Sequence, residues 1–413
     1  MRLRRASVAD GRQPWQSNSL RAYSQRLSWN FPTNSLSRLI AEKKARGVRL
    51  LDLTISNPTE AFADYPHAAI RRAYADIANF TYQPNPCGEL EARRAIAEWY
   101  AQQGITISAE QLLLTASSSE AYALLFKLFC NPEDEILAPV PSYPLFEFLA
   151  SLESVRIVPY RLLYDGAWFI DFTSLAERIS PRARAIVIVS PNNPTGSFLK
   201  QSERDRIFAI AQEHELPIIC DEVFMSYAFG SAAERVQTLI GCDSVLSFSL
   251  NGLSKAAAMP QVKLGWIAIN GPLPERDRAH QQLQILLDTY LSVSTPVQRA
   301  LPALLHTGAD LQRQICARIQ RNRNALGQLL EGSAAHCLHV EGGWSAIVQL
   351  PNTSTEEAWV AQLLEQHEVV VQPGYFFDMG SEPYIVLSLL TAPDVFDEGI
   401  RRLAALVCDC SKC

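Results

Sequence analysis

No apolar stretch in this 413-residue chain approaches the ~18 consecutive apolar residues of a membrane-spanning helix. Positive charge is not in excess: 37 Lys and Arg stand against 43 Asp and Glu, a formal net charge of −6. With no basic stripe there is nothing to drive counterion release on a polyphosphate backbone, so no nucleic-acid partner is expected. No G-x-G-x-x-G follows a strand-like run, which argues against a nicotinamide-dinucleotide enzyme. Cysteine gives no disulfide framework. The nine are odd in number and scattered, several of them inside apolar runs, a pattern that fits reduced thiols and a cytoplasmic protein. The tail Cys408-Asp-Cys410-Ser-Lys-Cys413 has no second Cys or His pair beside it, so no metal is expected. Residues 1–28 carry many Arg and Ser and a single acid, Asp10. They read as a polar N-terminal arm with the composition of a transit peptide, and lack the apolar segment of a secretory signal.

What is present is an alternation of helix and strand from about residue 88. Ser119–Cys130 sets Ala121, Leu124, Leu125, Leu128 and Phe129 on one helical face. The runs Ile136–Val140, Ile186–Ser190, Pro217–Cys220, Val245–Leu250 and Leu264–Ile269 are too short for helices. Pro, Asn, Asp and Gly bound them, as they bound buried strands. Glu203–Glu215 is helical in pattern. The fold class is therefore α/β, with a mostly parallel central sheet sandwiched by helices. Past Ser294-Thr-Pro296 the pattern changes to a polar helix over Leu311–Leu330, strands near Gly342–Val348 and Tyr384–Leu389, and a helix over Ala392–Val407. Residues 56–299 read as a large domain. Residues 29–55 and 300–413 read as a smaller α+β domain.

Chemistry collects just after the strands, where ligands bind in open α/β sheets. Asp221 ends the apolar run Pro217–Cys220, and a carboxylate there needs either a cation or a capping role. Ser190-Pro-Asn-Asn-Pro-Thr-Gly196 is a rigid turn presenting Asn193. Ser254-Lys255 follows another strand, and a lysine enclosed by apolar groups becomes a nucleophile toward aldehydes. Ser117, Ser118 and Ser119 open a helix whose N-terminus suits a phosphate, or simply cap it.

Taken in order, Asn193-Pro-Thr-Gly196, Asp221-Glu-Val223 and Ser254-Lys255 followed by Pro260-Gln-Val-Lys263-Leu-Gly265 resemble the class I/II aminotransferases of pyridoxal-phosphate fold type I. The resemblance covers about Leu51 to Val407. It implies pyridoxal 5′-phosphate held by Lys255 as a Schiff base, with Asp221 on the ring nitrogen and Asn193 on the phenolic oxygen. Ser117, Ser118, Ser119, Ser254 and Lys263 would lie around the phosphate, and Tyr143 on the ring face. It further implies a homodimer with shared active sites, into which Tyr82 reaches from the neighbouring subunit. The implied reaction moves an amino group between an amino acid and a 2-oxo acid. The alternative is other carbanion chemistry on the same cofactor, such as β/γ-elimination, replacement or oxidation.

Three positions depart from the family pattern. Phe224 replaces a tyrosine, so one hydroxyl donor is missing. Lys263 replaces an arginine, a point charge in place of a fork. Val386 stands where an arginine would clamp the substrate carboxylate, and no arginine lies between Arg323 and Arg401. Either another cation serves, from Arg21 or Arg26 of the arm or from the partner subunit, or the substrate is not a simple α-amino acid. Asn57 and Trp344 are expected beside the same substrate pocket.

Overall fold

The computed structural model describes residues 24–27, 35–380 and 382–410. Most of the expected arm, with Arg21, and the last cysteine, Cys413, lie outside them. Eight strands form the main sheet: β1 (Leu112–Thr115), β2 (Glu135–Val140), β3 (Arg156–Tyr164), β4 (Trp168–Ile170), β5 (Ala183–Val189), β6 (Ile218–Asp221), β7 (Ser247–Gly252) and β8 (Gly265–Asn270). Their order is β1-β8-β7-β6-β5-β2-β3-β4. The run from β3 to β7 is parallel, while β8 lies antiparallel between β7 and β1, and β4 is an antiparallel edge. β7 and β8 are buried along their whole length, because helices cover both faces of the sheet. The sheet is thus the helix-covered, mostly parallel one that the apolar runs predict.

This topology places the chemistry. β1, β5, β6 and β7 run in one direction, so their carboxyl ends share one edge of the sheet. Four segments leave from that edge: Ser117 and helix α1 (Ser118–Phe129), the turn carrying Asn193, Asp221 itself, and the short helix α2 (Leu253–Ala256) with Lys255. β8 runs the other way, so the same edge receives its amino end and Lys263 just before it.

The second sheet is antiparallel, in the order β9 (His336–Cys337), β10 (Ser345–Gln349), β12 (Tyr384–Ser388) and β11 (Gln372–Pro373). It is joined to the main sheet by buried charge and backbone bonds. Glu341 pairs with Lys200 at 2.6 Å and with Arg235 at 3.3 Å, and accepts from the Phe198 N–H. The Phe229 N–H donates to the Glu341 carbonyl, and the Gly343 N–H to that of Tyr227. Gly196 makes this junction possible. Its φ is +68°, and an added Cβ would lie 2.3 Å from Val340 Cγ2 and 2.5 Å from the Gly342 oxygen. Gly196→Ala is therefore expected to destabilise the protein by about 2–4 kcal/mol, the sum of left-handed strain and overpacking. Thermal unfolding of the apoprotein measures it, and an unchanged melting temperature would refute the steric argument.

Two parts of the fold differ from the sequence reading. Helix α3 spans Thr295–Leu329, sixteen residues longer at its start than the pattern from Leu311 suggests. Pro302 lies inside it and reads locally as a breaker. Packing overrides it: Gly308 lets α3 come within contact of Ala257, next to the lysine segment. Asn322 of the same helix is buried and donates to the carbonyls of Leu389 and Thr391, both at 2.8 Å. The β3–β4 hairpin is the second difference. β3 is half exposed and carries Arg156, Pro159 and Arg161, so it has no continuous apolar run to mark it.

Candidate active site

Asp221 sits where β6 stops. Its Oδ2 accepts from the Tyr122 hydroxyl at 3.1 Å and its Oδ1 from the Val223 N–H at 3.1 Å. Burial pushes its pKa up to about 6, against the pull of the Val223 N–H, the Tyr122 hydroxyl and the Lys255 charge. Across from it, Lys255 Nζ lies 4.8 Å from the Trp344 ring centroid and 5.5 Å from that of Phe224. Burial lowers the ammonium pKa to about 8 and outweighs the attraction of Asp221, the other charge acting on it. Phe224, Tyr227 and Trp344 pack edge to face behind the amine, at 5.0–6.4 Å between centroids. The Tyr227 hydroxyl is taken by the Lys255 carbonyl at 2.6 Å, so it fixes the lysine backbone and does not replace the hydroxyl missing at Phe224.

Asn193 is tied to the second sheet, with its Oδ1 accepting from Ser345 Oγ at 3.2 Å. That bond turns the amide so that Nδ2 is a donor with no partner among the described residues. At the start of α1, Ser117 is extended and its side chain accepts from the Glu120 N–H at 3.2 Å. Among the described residues the Ser118 and Ser119 hydroxyls keep no partner, and the first-turn N–H groups point out of the helix. The strand after Lys263 passes directly against this terminus: a Cβ on Gly265 would lie 2.9 Å from the Ser117 carbonyl carbon and 3.1 Å from the Ser118 nitrogen. Lys263 is exposed, with φ +61°.

The structure thus gathers Ser117, Ser118, Ser119, Asn193, Asp221, Ser254, Lys255 and Lys263 at one sheet edge, with Trp344 against the lysine. Tyr143 follows β2 at that edge and is half exposed, and the neighbouring Ser142 N–H donates to the Phe377 carbonyl. Tyr82 lies apart, on an exposed loop held by Arg299 through the Thr81 carbonyl. Asn57 spends its side chain capping the helix Pro58–Ala61, accepting from the Thr59 N–H and hydroxyl and donating to Glu60. Val386 is buried among Trp168, Leu338, Ile347, Phe377 and Met379. Arg26 is occupied elsewhere, its guanidinium on the Leu152 carbonyl.

Sequence reasoning misses Tyr122 and Ser345, although it places Trp344 beside the pocket. A signal existed for the first: one hydroxyl on an otherwise apolar helix face needs a partner when buried. Ser345 gave none.

The arrangement fits pyridoxal phosphate. It offers a depressed-pKa amine for the aldehyde, a carboxylate aligned by two donors for a cationic ring nitrogen, an amide donor, and a serine-lined helix terminus beside a lysine for the phosphate. Among the described residues no group of three His, Cys, Asp or Glu side chains is arranged to hold a metal.

The family model described as aminotransferase class I and II matches residues 48–402. The chain is 25% identical over 371 residues to the glutamate-pyruvate aminotransferase AlaA of Haemophilus influenzae, covering 88% of this chain and 92% of that protein. It is 26% identical over 373 residues to an LL-diaminopimelate aminotransferase of Dehalococcoides mccartyi, covering 89% and 94%. Among solved structures, alanine aminotransferase from Pyrococcus furiosus superposes with a TM-score of 0.84 at 24% identity, over 94% of this chain and all of that one. A Thermus thermophilus aspartate aminotransferase double mutant superposes with a TM-score of 0.78 at 22% identity, over the same shares.

Proposed function

For a chain that belongs to the aminotransferase class I and II family, we propose that Lys255 is the amine that holds the cofactor and carries the proton. The protein is a pyridoxal-phosphate-dependent aminotransferase acting on an amino acid and a 2-oxo acid. When bound, pyridoxal phosphate supplies an aldehyde for amino groups and an electron-withdrawing ring that takes up charge from the substrate's α-carbon. The residues present divide the rest of the work. Asp221 would keep the ring nitrogen protonated, Asn193 Nδ2 would donate to the phenolic oxygen, and Ser117, Ser118, Ser119, Ser254 and Lys263 would hold the phosphate. Tyr143 would cover the ring face. Lys255 Nζ would take the α-proton and return it. Phe224 and Trp344 exclude water from one side of that amine, which keeps its pKa low enough for both tasks.

The observation that carries this reading is the Asp221–Lys255 pair, an acid pushed up and a base pushed down at one sheet edge. Its test is the rate at which apoprotein captures pyridoxal phosphate. Only the free amine attacks, so the rate is expected to rise about tenfold per pH unit below about 8 and level off above it. A flat profile between pH 6 and 9 would count against Lys255 as the nucleophile.

A homodimer completes the site in this reading. Phe80, Tyr82, Ile285 and Tyr290 are each more than half exposed, and the Tyr82 loop borders the same cleft as Leu287, Leu291 and Ser292. Exposed large apolar side chains of this kind favour burial against a second copy, and Tyr82 would enter the partner's site from its loop. A cytoplasmic location accords with the free thiols of Cys87, Cys130, Cys220, Cys242, Cys316, Cys337 and Cys408. No helix among the described residues is long and apolar enough to cross a membrane.

A further inference from the structure

Helix α1 carries two things at once. Its amino end presents Ser117, Ser118 and Ser119, and one turn further in Tyr122 reaches across to β6. Tyr122 is buried, packed against Phe146 with centroids 5.2 Å apart and against Phe126 at 6.0 Å. The other buried residues on this helix are Ala121, Leu124, Leu125 and Phe126. A hydroxyl among them is costly unless it finds an acceptor, and a phenylalanine would fill the same space without that cost. The acceptor it finds is Asp221 Oδ2, at 3.1 Å.

We infer that Tyr122 is a positioning residue for the cofactor: through Asp221 Oδ2 it holds the carboxylate ionised and correctly turned toward the ring nitrogen. The inference rests on the reading of Asp221 as the partner of that nitrogen. The Val223 N–H fixes the other oxygen at 3.1 Å, so the carboxylate is pinned from two directions, once by the backbone just beyond its own strand and once by α1. The consequence is mechanical. One helix sets both the phosphate end and, through Tyr122, the ring end of the cofactor, so their separation cannot drift. The remaining polar groups close by do not duplicate the contact. Lys255 acts on Asp221 by charge, Glu222 is occupied by Thr238, Leu239 and Ser249, and the Tyr160 hydroxyl donates to the Val187 carbonyl.

The test compares Tyr122→Phe, Asp221→Asn and the double variant with wild type. Two readouts are independent of turnover: the dissociation constant of pyridoxal phosphate from the apoprotein, and the 15N resonance of bound, ring-labelled pyridoxal phosphate. Y122F is expected to bind about tenfold more weakly, the size of a lost hydrogen bond to a charged group, with the resonance displaced toward the unprotonated nitrogen. In the Asp221→Asn background the same change should weaken binding less than about twofold, because the charge it serves is gone. A Y122F protein with wild-type affinity and resonance overturns the inference. So does one whose affinity and apoprotein melting temperature fall together without a resonance change, the mark of a packing role alone. Should Y122F not fold, Tyr122→His and Tyr122→Leu, donor kept and donor lost, decide by the same two readouts. If Asp221→Asn itself binds like wild type, or wild type takes up no cofactor, the reading of the site fails first. If only Y122F is indifferent, the site stands and Tyr122 has no part in it.

Discussion

Lys255→Ala is expected to lower amino-group transfer at least ~10⁴-fold, because one substitution removes both the nucleophile and the proton carrier. The cofactor should still enter the site, held by its phosphate and ring contacts but no longer covalently. Borohydride treatment separates the two conditions. Wild-type protein should keep the cofactor's mass after denaturation, on the peptide containing Lys255, while the variant should lose it. The alanine also removes the charge that helps keep Asp221 ionised, so the Asp221 pKa should move further above its already raised value. Transfer within about tenfold of wild type, or covalent label on another lysine, would place the chemistry elsewhere.

Asp221→Asn should separate stability from activity. Burial raises the folded-state pKa of Asp221 from 3.8 to about 6. A carboxyl raised in the folded state contributes stability below its unfolded pKa and loses it as pH rises through the folded value. Above about pH 6 the ionised carboxylate is therefore a burden on the apoprotein, on the order of 2–3 kcal/mol. At pH 8.5, where Lys255 is largely neutral, apo Asp221→Asn should melt above apo wild type, and the difference should vanish near pH 4. Loading with pyridoxal phosphate should reverse the order, since the amide cannot pair with a cationic ring nitrogen. Transfer should fall about 10²–10³-fold, the usual cost of losing one preorganised electrostatic partner. An apoprotein variant less stable than wild type at pH 8.5 would show that Asp221 is held as a favourable ion pair, with burial the weaker effect.

Both experiments rest on residues that the amino-acid order alone picks out. Asn193, Asp221 and Lys255 each stand within a few residues of the end of a short apolar run. When such a run is buried on both faces, in a sheet whose strands mostly share one direction, the residues after it arrive at a common edge. Local chemistry and strand direction make the fold class legible from the sequence, while the cofactor and the proposed reacting amine are what the resemblance of the ordered motifs to the aminotransferases implies. The departure at Phe224 is equally legible, and the structure adds that Tyr227 cannot compensate, since its hydroxyl serves the Lys255 carbonyl.

Other residues are legible only in part. The place of Asn57 in the chain points to the substrate. In the structure its side-chain oxygen caps the turn that follows, a local hydrogen bond that Asn favours at helix starts. Val386 reads as a missing arginine. The structure shows what takes its place: an apolar cluster with Trp168 and Met379, assembled from both sheets.

The sequence by itself determined the α/β architecture, because strand periodicity and turn chemistry act over a few residues, and its ordered motifs carried the resemblance that implies the cofactor and the roles of Asn193, Asp221 and Lys255. Tertiary structure alone decided how those residues are aimed. Tyr122 meets Asp221 across 99 residues of chain and Ser345 meets Asn193 across 152, while Trp344 closes over Lys255 from the other sheet. Contacts at such separations arise from how two sheets and a helix pack, and no local pattern of apolar and polar residues encodes them.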